Sequence, residues 1–399
     1  MSYFRQPRYL NDFKCIGGNC RFTCCQYWRI VWSEKEIEKV KNAPDCPEDI
    51  RSFMETGFTP YPERKDLFIV TLDEDYRCPM LTEDKFCHIQ REMGEEYLSN
   101  TCRAYPRNYD AIDTVAYGCC QMSCPEIMNK LLNDEKCTDL VNLSTKNLRI
   151  LKVHLQATPE QVKKHPERKY FAEIKDFFYE IISNKKLPLE TCIILGALAA
   201  QSLTKLVAAE DYDSIPEAIK TLRSQMHDAK QLKNINNIKT NYNVKLGVTD
   251  KLINEFSKSA TRHSLIDDDG KPNIDLYTRA EDLLNKEFES RPFAWRNLAL
   301  NLMLELNVPF KLEDNTIFEN YSAFVIAYAF LRYNTLTIMG VNDRLNAANI
   351  SMDTENFIVM FSSVLSRTLC HNPDNLKKLL QRLKDFKMES PAYLALLVK

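Results

Sequence analysis

Glycine is scarce in this chain, with nine residues among 399. No GxGxG or GxGxxG occurs, and no strand–helix–strand series appears. A doubly wound cofactor domain with a glycine-rich loop is therefore excluded. No CxxC pair of the kind that builds zinc knuckles is present. The CxxxCxxC run of radical enzymes is also missing: Cys20-x3-Cys24 is followed by Tyr27, and Cys120-x3-Cys124 by Ile127. The six histidines are scattered, His88 sitting beside Cys87, and no Ser-His-Asp, HExxH or P-loop pattern stands out. The N-terminus has no apolar h-region, so no secretory leader is expected. The most apolar stretch, Cys192 to Ala200, is soon interrupted by Gln201, Ser202 and Lys205. It is too short to span a bilayer and reads as a buried helix face. A net charge of −2 argues against a broad basic face for nucleic acid.

Cysteine is what the chain has, and it is placed unevenly. Twelve of the fourteen cysteines lie in the first 137 residues. Without export they face a reducing compartment, where structural disulfides are disfavoured and metal or cluster ligation becomes the natural use. They form four main groups: Cys15, Cys20, Cys24 and Cys25 with Gly17 and Gly18 between; Cys78-Pro79 and Cys87-His88; Cys102-Arg103; and Cys119, Cys120, Cys124-Pro125. Glycines allow the tight turns that bring thiolates together, and Arg21, Arg103 and Arg107 are placed to offset their charge. Zinc takes four ligands and an iron–sulfur cluster usually four cysteines, so the chain holds enough for two sites. The spacing leans to iron–sulfur, with zinc as the alternative and a purely structural staple as a further reading.

The pattern predicts a mainly α protein: a small, loop-rich, cysteine-rich N-terminal region with a few short strands (1–137), then a large helical body (138–399). A capping box at Ser33 and Glu36 opens one helix, and a second runs from Pro47 to Gly57. Leu67 to Leu72 reads as a strand with Thr114 to Tyr117 as partner, and a helix follows from Pro125 to Leu132. Helical periodicity then marks Glu173–Ile182, Glu190–Ala209, Glu217–Leu232, Asp250–Phe256, Tyr277–Phe288, Trp295–Leu306, Ile317–Tyr333, Phe357–Leu369 and Leu376–Phe386. The polar stretch Lys233–Asn243 reads as a connecting loop.

These residues carry a resemblance. Tyr9-x3-Phe13-x-Cys15, Gly17, Cys20, Cys24-Cys25, Trp28, Ile30, Cys78-Pro79-x-Leu81, Cys87-x-Ile89-Gln90, Thr101-Cys102, Tyr105-Pro106-Arg107 and Ser123-Cys124-Pro125-Glu126 resemble the bacterial flagellin lysine-N-methylase family. In the tail, Phe318-Glu319-Asn320-Tyr321 looks like that family's ENY element. The N-terminal part also resembles small cysteine-cluster metal-binding proteins. The resemblance implies methyl transfer from S-adenosylmethionine to flagellin lysines in the cytoplasm before export. It also implies a 4Fe–4S cluster, with Cys15, Cys20, Cys24, Cys25, Cys78, Cys87, Cys102 and Cys124 as the shared thiols. Cys119 and Cys120 fall where small or aliphatic residues are expected.

Methyl transfer to lysine needs a neutral amine, whereas free lysine titrates near pH ~10.4. Cationic amine and sulfonium both favour aromatic faces. Tyr27, Trp28, Arg103 and Tyr105 are therefore the expected donor-binding residues, with Tyr109 a further aromatic candidate. No catalytic base stands out. A non-catalytic cysteine-cluster protein is the alternative, and a metal- or cluster-delivery protein a third reading.

Overall fold

In a computed structural model, the structure describes residues 3–28, 30–62, 64–112, 115–143, 154–254, 265, 271–346 and 353–399. Helices dominate it, as expected. Among the described residues eight strands occur: β1 (Tyr3–Pro7), β2 (Val31–Ser33), β3 (Phe58–Tyr61), β4 (Arg64–Val70), β5 (Arg107–Ile112), β6 (Val115–Cys120), β7 (Leu140–Leu143) and β8 (His154–Leu155). They form a five-stranded sheet of order β7-β1-β6-β5-β8 and a three-stranded sheet of order β2-β4-β3. In the larger sheet β1 runs parallel to β6, and β5 antiparallel to it.

The expected pairing of Leu67–Leu72 with Thr114–Tyr117 is corrected by this topology. β4 pairs only with β2 and β3, while Tyr117 lies in β6, in the other sheet. Adjacent β5 and β6 pair as sequence neighbours, and β6 is buried along its whole length. Thr114 itself lies outside the described residues.

Two cores result. The smaller packs Ile30, Trp32, Val40, Ile50, Phe53, Val70, Met80, Ile89 and Leu98, with Trp28, Cys78, Cys87 and Cys102 against it. The larger joins Phe4, Tyr9, β5, β6 and the helix Pro125–Asn133 to the helical body. The Ser33 capping box is present, with Ser33 N–H donating to Glu36 at 2.7 Å, and it opens the helix Glu34–Lys41. Pro47 and Gly57 bound the helix Glu48–Thr56.

The expected single helix Glu217–Leu232 is two, Ile215–Gln225 and Ala229–Asn236. Asp228 restarts it by accepting the N–H of Gln231 at 2.8 Å. The second helix also takes up the first part of the stretch expected as a loop, because Ile235 reaches the core. Beyond it, the helix Tyr242–Asn254 replaces the shorter expected Asp250–Phe256, whose end lies outside the described residues. Leu189–Ala208 and Ile317–Asn346 are the long apolar helices. By length and composition Leu189–Ala208 and the segment Ile317–Val341 are apolar enough to cross a membrane, but their apolar side chains are used inside the larger core.

Candidate functional site

The smaller core encloses a small cavity of about 30 Å³. Cys24, Cys25, Cys78, Cys87 and Cys102 line it together with Trp28 and Tyr105, and Trp32, Phe53 and Met80 form its apolar wall. Five thiols from three of the four sequence groups therefore line one cavity. Local backbone contacts place four of them. Cys25 and Cys78 are cross-linked through the backbone, Cys78 N–H donating to Cys25 C=O at 2.8 Å. Cys87 is the N-cap of the helix His88–Met93. Cys102 is fixed in the helix Asn100–Ala104, whose cap Ser99 accepts the Cys102 N–H at 3.1 Å.

A second group stands beside the first. Cys15, Cys20 and Cys124 are close enough for each charge to raise the next thiol, and Cys15 also acts on Cys24 and Cys87. Cys124 caps the helix Pro125–Asn133 with Pro125 in its first turn. Gly17 takes φ 55°, and a Cβ there would meet the Phe86 ring at 2.5 Å, so the loop between Cys15 and Cys20 needs glycine to lie against the turn at Phe86.

Burial and mutual charge act together on these thiols. Burial pushes Cys78 up to about 12 and Cys87 up to about 11, with neighbouring cysteines adding to the rise. Burial likewise raises Cys102 and takes Cys124 to about 12. Backbone N–H groups of the first helical turn oppose the rise at Cys87 and Cys124. Cys24 is raised by the hydrogen bond it shares with Cys25, and Cys25 is lowered to about 7 by that bond and by Thr23. Gathered thiols repel one another's negative charge, so this donor set suits a cation that would draw the protons off. All fourteen cysteines are free, and among the described residues no three His, Cys, Asp or Glu side chains form a ready metal shell. The fit to a metal or cluster rests on the donor set and its convergence.

The other expected residues divide. Trp28 and Tyr105 line the cavity, their rings edge-on at 4.6 Å. Tyr27 does not: it is 70% exposed on the outer side of the same segment. Arg103 lies next to Cys102 in its helix but is not part of the cavity wall. Tyr109 packs against Phe4 in the larger core. Arg21 turns to the helix Thr354–Leu365, donating to Asn356 at 2.5 Å, and Arg107 stacks on Phe13. Cys46, Cys119, Cys120, Cys137, Cys192 and Cys370 are buried away from the cavity.

Sequence reasoning missed the support behind Trp28. The His371 ring packs 5.5 Å from Trp28, and the Arg367 guanidinium lies 5.6 Å from its ring centre. Arg367 also donates to the Gln26 carbonyl at 3.1 Å. His371 contacts the Ser366 hydroxyl at 3.2 Å, and that hydroxyl donates to buried Glu305. Glu305 in turn accepts the N–H of Met122 at 2.9 Å. Arg367 stands in a one-turn π-helix, Ser366–Cys370, a local irregularity that simple periodicity cannot reveal.

Comparison with known proteins adds the family. A family profile described as the FliB lysine N-methylase C-terminal domain matches residues 175–397. The chain is 22% identical over 362 residues to a lysine-N-methylase of Salmonella choleraesuis (strain SC-B67), covering 85% of this chain and 86% of that protein. It is similarly related to the lysine-N-methylase of Salmonella typhimurium (strain LT2), at 22% identity with the same coverage. A flagellar biosynthetic protein FliU of Salmonella muenchen is 26% identical over 131 residues, 32% of this chain and 76% of that one. No solved structure matches the chain.

Proposed function

Since the chain belongs to the FliB lysine N-methylase family, we propose that it is a lysine methyltransferase that takes methyl groups from S-adenosylmethionine and places them on flagellin. The relatives' names support the lysine methylation and the flagellar link. The observation that carries the site is the convergence of five thiols with Trp28 and Tyr105 on one apolar cavity. We assign the reaction to the cytoplasm, ahead of flagellin export, and the body from residue 138 onward to gripping the protein substrate.

An apolar wall disfavours the ammonium form of an entering lysine and excludes water. The Trp28 and Tyr105 faces attract a sulfonium or ammonium cation. Burial, with Cys124 and Cys24 nearby, holds the Tyr105 hydroxyl protonated, and it pairs with Ser123 at 3.1 Å, so it orients rather than accepts a proton. In the transfer, the neutral amine nitrogen bonds to the methyl carbon. The methyl carbon–sulfur bond breaks with its electron pair going to sulfur, S-adenosylhomocysteine leaves, and the methylated ammonium gives its proton to solvent on release.

We further propose that Cys24, Cys25, Cys78, Cys87 and Cys102, with Cys15, Cys20 and Cys124 beside them, hold a 4Fe–4S cluster, or zinc as the alternative. When bound, such a group would offset the thiolates' charge and, for iron, would supply a redox centre next to the aromatic pair.

Mass analysis of flagellin coexpressed with this protein tests the reading. Wild type is expected to add mass in multiples of one methyl group, and Cys24→Ser to add none. The anaerobically purified wild type should carry iron and visible absorbance that Cys24→Ser loses. Flagellin of unchanged mass with wild type would leave the non-catalytic metal-binding reading in its place.

A further inference from the structure

Tyr27 and Tyr76 are the two most exposed large apolar side chains among the described residues, at 70% and 61%. Aromatic rings this open to water are unfavourable unless something covers them. They are not scattered. Their rings stack on each other, centroids 5.8 Å apart and planes 25° from parallel. Tyr27 N–H donates to the Tyr76 carbonyl at 2.8 Å, which holds the pair in register. Both residues adopt left-handed backbone, φ 56° and 58°. In this short ladder Gln26 bridges Arg77, and Cys25 accepts from Cys78, so the stacked pair stands at the outer end of the segment whose inner end enters the thiol cavity.

The loop that presents Tyr76 is acidic. Asp73, Glu74 and Asp75 are all exposed, and only Arg77, paired with Asp75 at 3.3 Å, offsets them there. Asp73 is committed to the turn, accepting the N–H groups of Asp75 and Arg77 at 3.0 and 2.7 Å. Aromatic faces beside net negative charge complement a cation on an alkyl stem, since the stem covers the rings and the ammonium meets both the ring faces and the carboxylates. An acidic partner would be repelled, and an apolar helix would leave the carboxylates unpaired.

We propose that the Tyr27–Tyr76 stack and the Asp73–Asp75 loop form a docking platform for an extended, lysine-bearing segment of the protein substrate, next to the cavity where a lysine is modified. This rests on the methyltransferase reading and deepens it: the platform engages a lysine near the target in sequence and so presents the target to the cavity.

The test is direct binding, measured by fluorescence anisotropy with the full-length protein. The probes are a labelled synthetic Gly-Ser peptide carrying three lysines and the same peptide with every lysine Nε-acetylated. Because asparagine tolerates left-handed backbone, Tyr27→Asn with Tyr76→Asn removes the rings while leaving the turn geometry available. Tyr27→Phe with Tyr76→Phe keeps the ring faces. The lysine peptide is expected to bind wild type and to weaken as salt rises. The Asn pair should weaken it about tenfold, with the Phe pair within about twofold of wild type, the scale of two exposed cation–aromatic contacts. Unchanged binding by the Asn pair, equal binding of the acetylated peptide, or no binding of the lysine peptide to wild type would each overturn the platform. The two ideas fail separately. If the Asn pair loses the peptide but wild type adds no methyl mass to flagellin, the platform stands and the methyltransferase reading falls. If wild type and the Asn pair methylate flagellin with the same KM, the reading stands and the platform falls.

Discussion

The thiols differ by their surroundings rather than by their chemistry. Cys46, Cys119, Cys137 and Cys192 act as small apolar fillers inside packed cores. Those at the cavity crowd together, so that ionising several of them at once calls for a cation to offset their charge. A buried lysine shows the same logic without any site. Lys245 donates to the Tyr277 hydroxyl at 2.8 Å, and Arg332, Glu281 and Glu190 act on it electrostatically. Burial, then Arg332, lowers it to about 8 from an ordinary value of 10.5. Between these values the unfolded chain binds the extra proton. Its contribution to stability is therefore largest above the unfolded value and is lost as pH falls from about 10.5 to about 8. Lys245→Met should remove this dependence, so the difference in unfolding free energy between variant and wild type should change by up to about 3 kcal/mol over that window. Urea titrations at pH 8 and 10 check it, and a difference that stays constant would contradict the assignment.

Among the elements, the long apolar helices show how close packing fixes single residues. In the helix Leu189–Ala208, a Cβ on Gly196 would fall 2.1 Å from the Tyr321 hydroxyl, which donates to the Ile193 carbonyl at 2.9 Å. Tyr321 belongs to the Glu319-Asn320-Tyr321 stretch, and each of these residues has a structural task. Glu319 accepts the N–H of Thr316 at 2.7 Å at the start of its helix. Asn320 holds Leu312 through both its N–H and its carbonyl. Gly196→Ala should therefore destabilise the protein by about 1–3 kcal/mol, although alanine is the better helix former. A melting curve that rises on this substitution would show that Tyr321 can move aside. The stretch thus reads as a joint between two helices and the loop before them.

Across the whole molecule, the helical body holds N-terminal residues through polar contacts. Glu305 reaches Met122, Ser363 donates to the Ser123 carbonyl at 3.2 Å, and Arg367 clasps Gln26 and covers Trp28. The cavity's aromatic wall is therefore supported by residues from the far end of the chain. Arg367→Ala should leave the helical body folded but loosen the segment 24–28, raising its amide exchange about tenfold, the worth of one hydrogen bond and one cation–aromatic contact. Hydrogen exchange resolved by peptide checks it, and unchanged protection at 24–28 would show that Arg367 is dispensable there.

Much was legible before folding. The helical body follows from apolar residues at three- and four-residue spacing, and the helix starts at Ser33, Pro47 and Pro125 follow from a capping box and from the fixed backbone angle of proline. Three of the four cysteine groups mark the cavity because closely spaced thiols suit one another as ligands, while Cys119 and Cys120 pack in the larger core. Such readings are local, and local energetics decide them. Tertiary structure alone decided the rest. It split the thiols into a cavity set and a flanking set, turned Trp28 inward and neighbouring Tyr27 outward, and set β6 beside β1 and β5 instead of β4. It also brought Arg367 and His371 to Trp28 across the length of the chain. Nothing in the spacing of residues carries that information, because contacts between distant segments are chosen by the burial and charge balance of the whole fold.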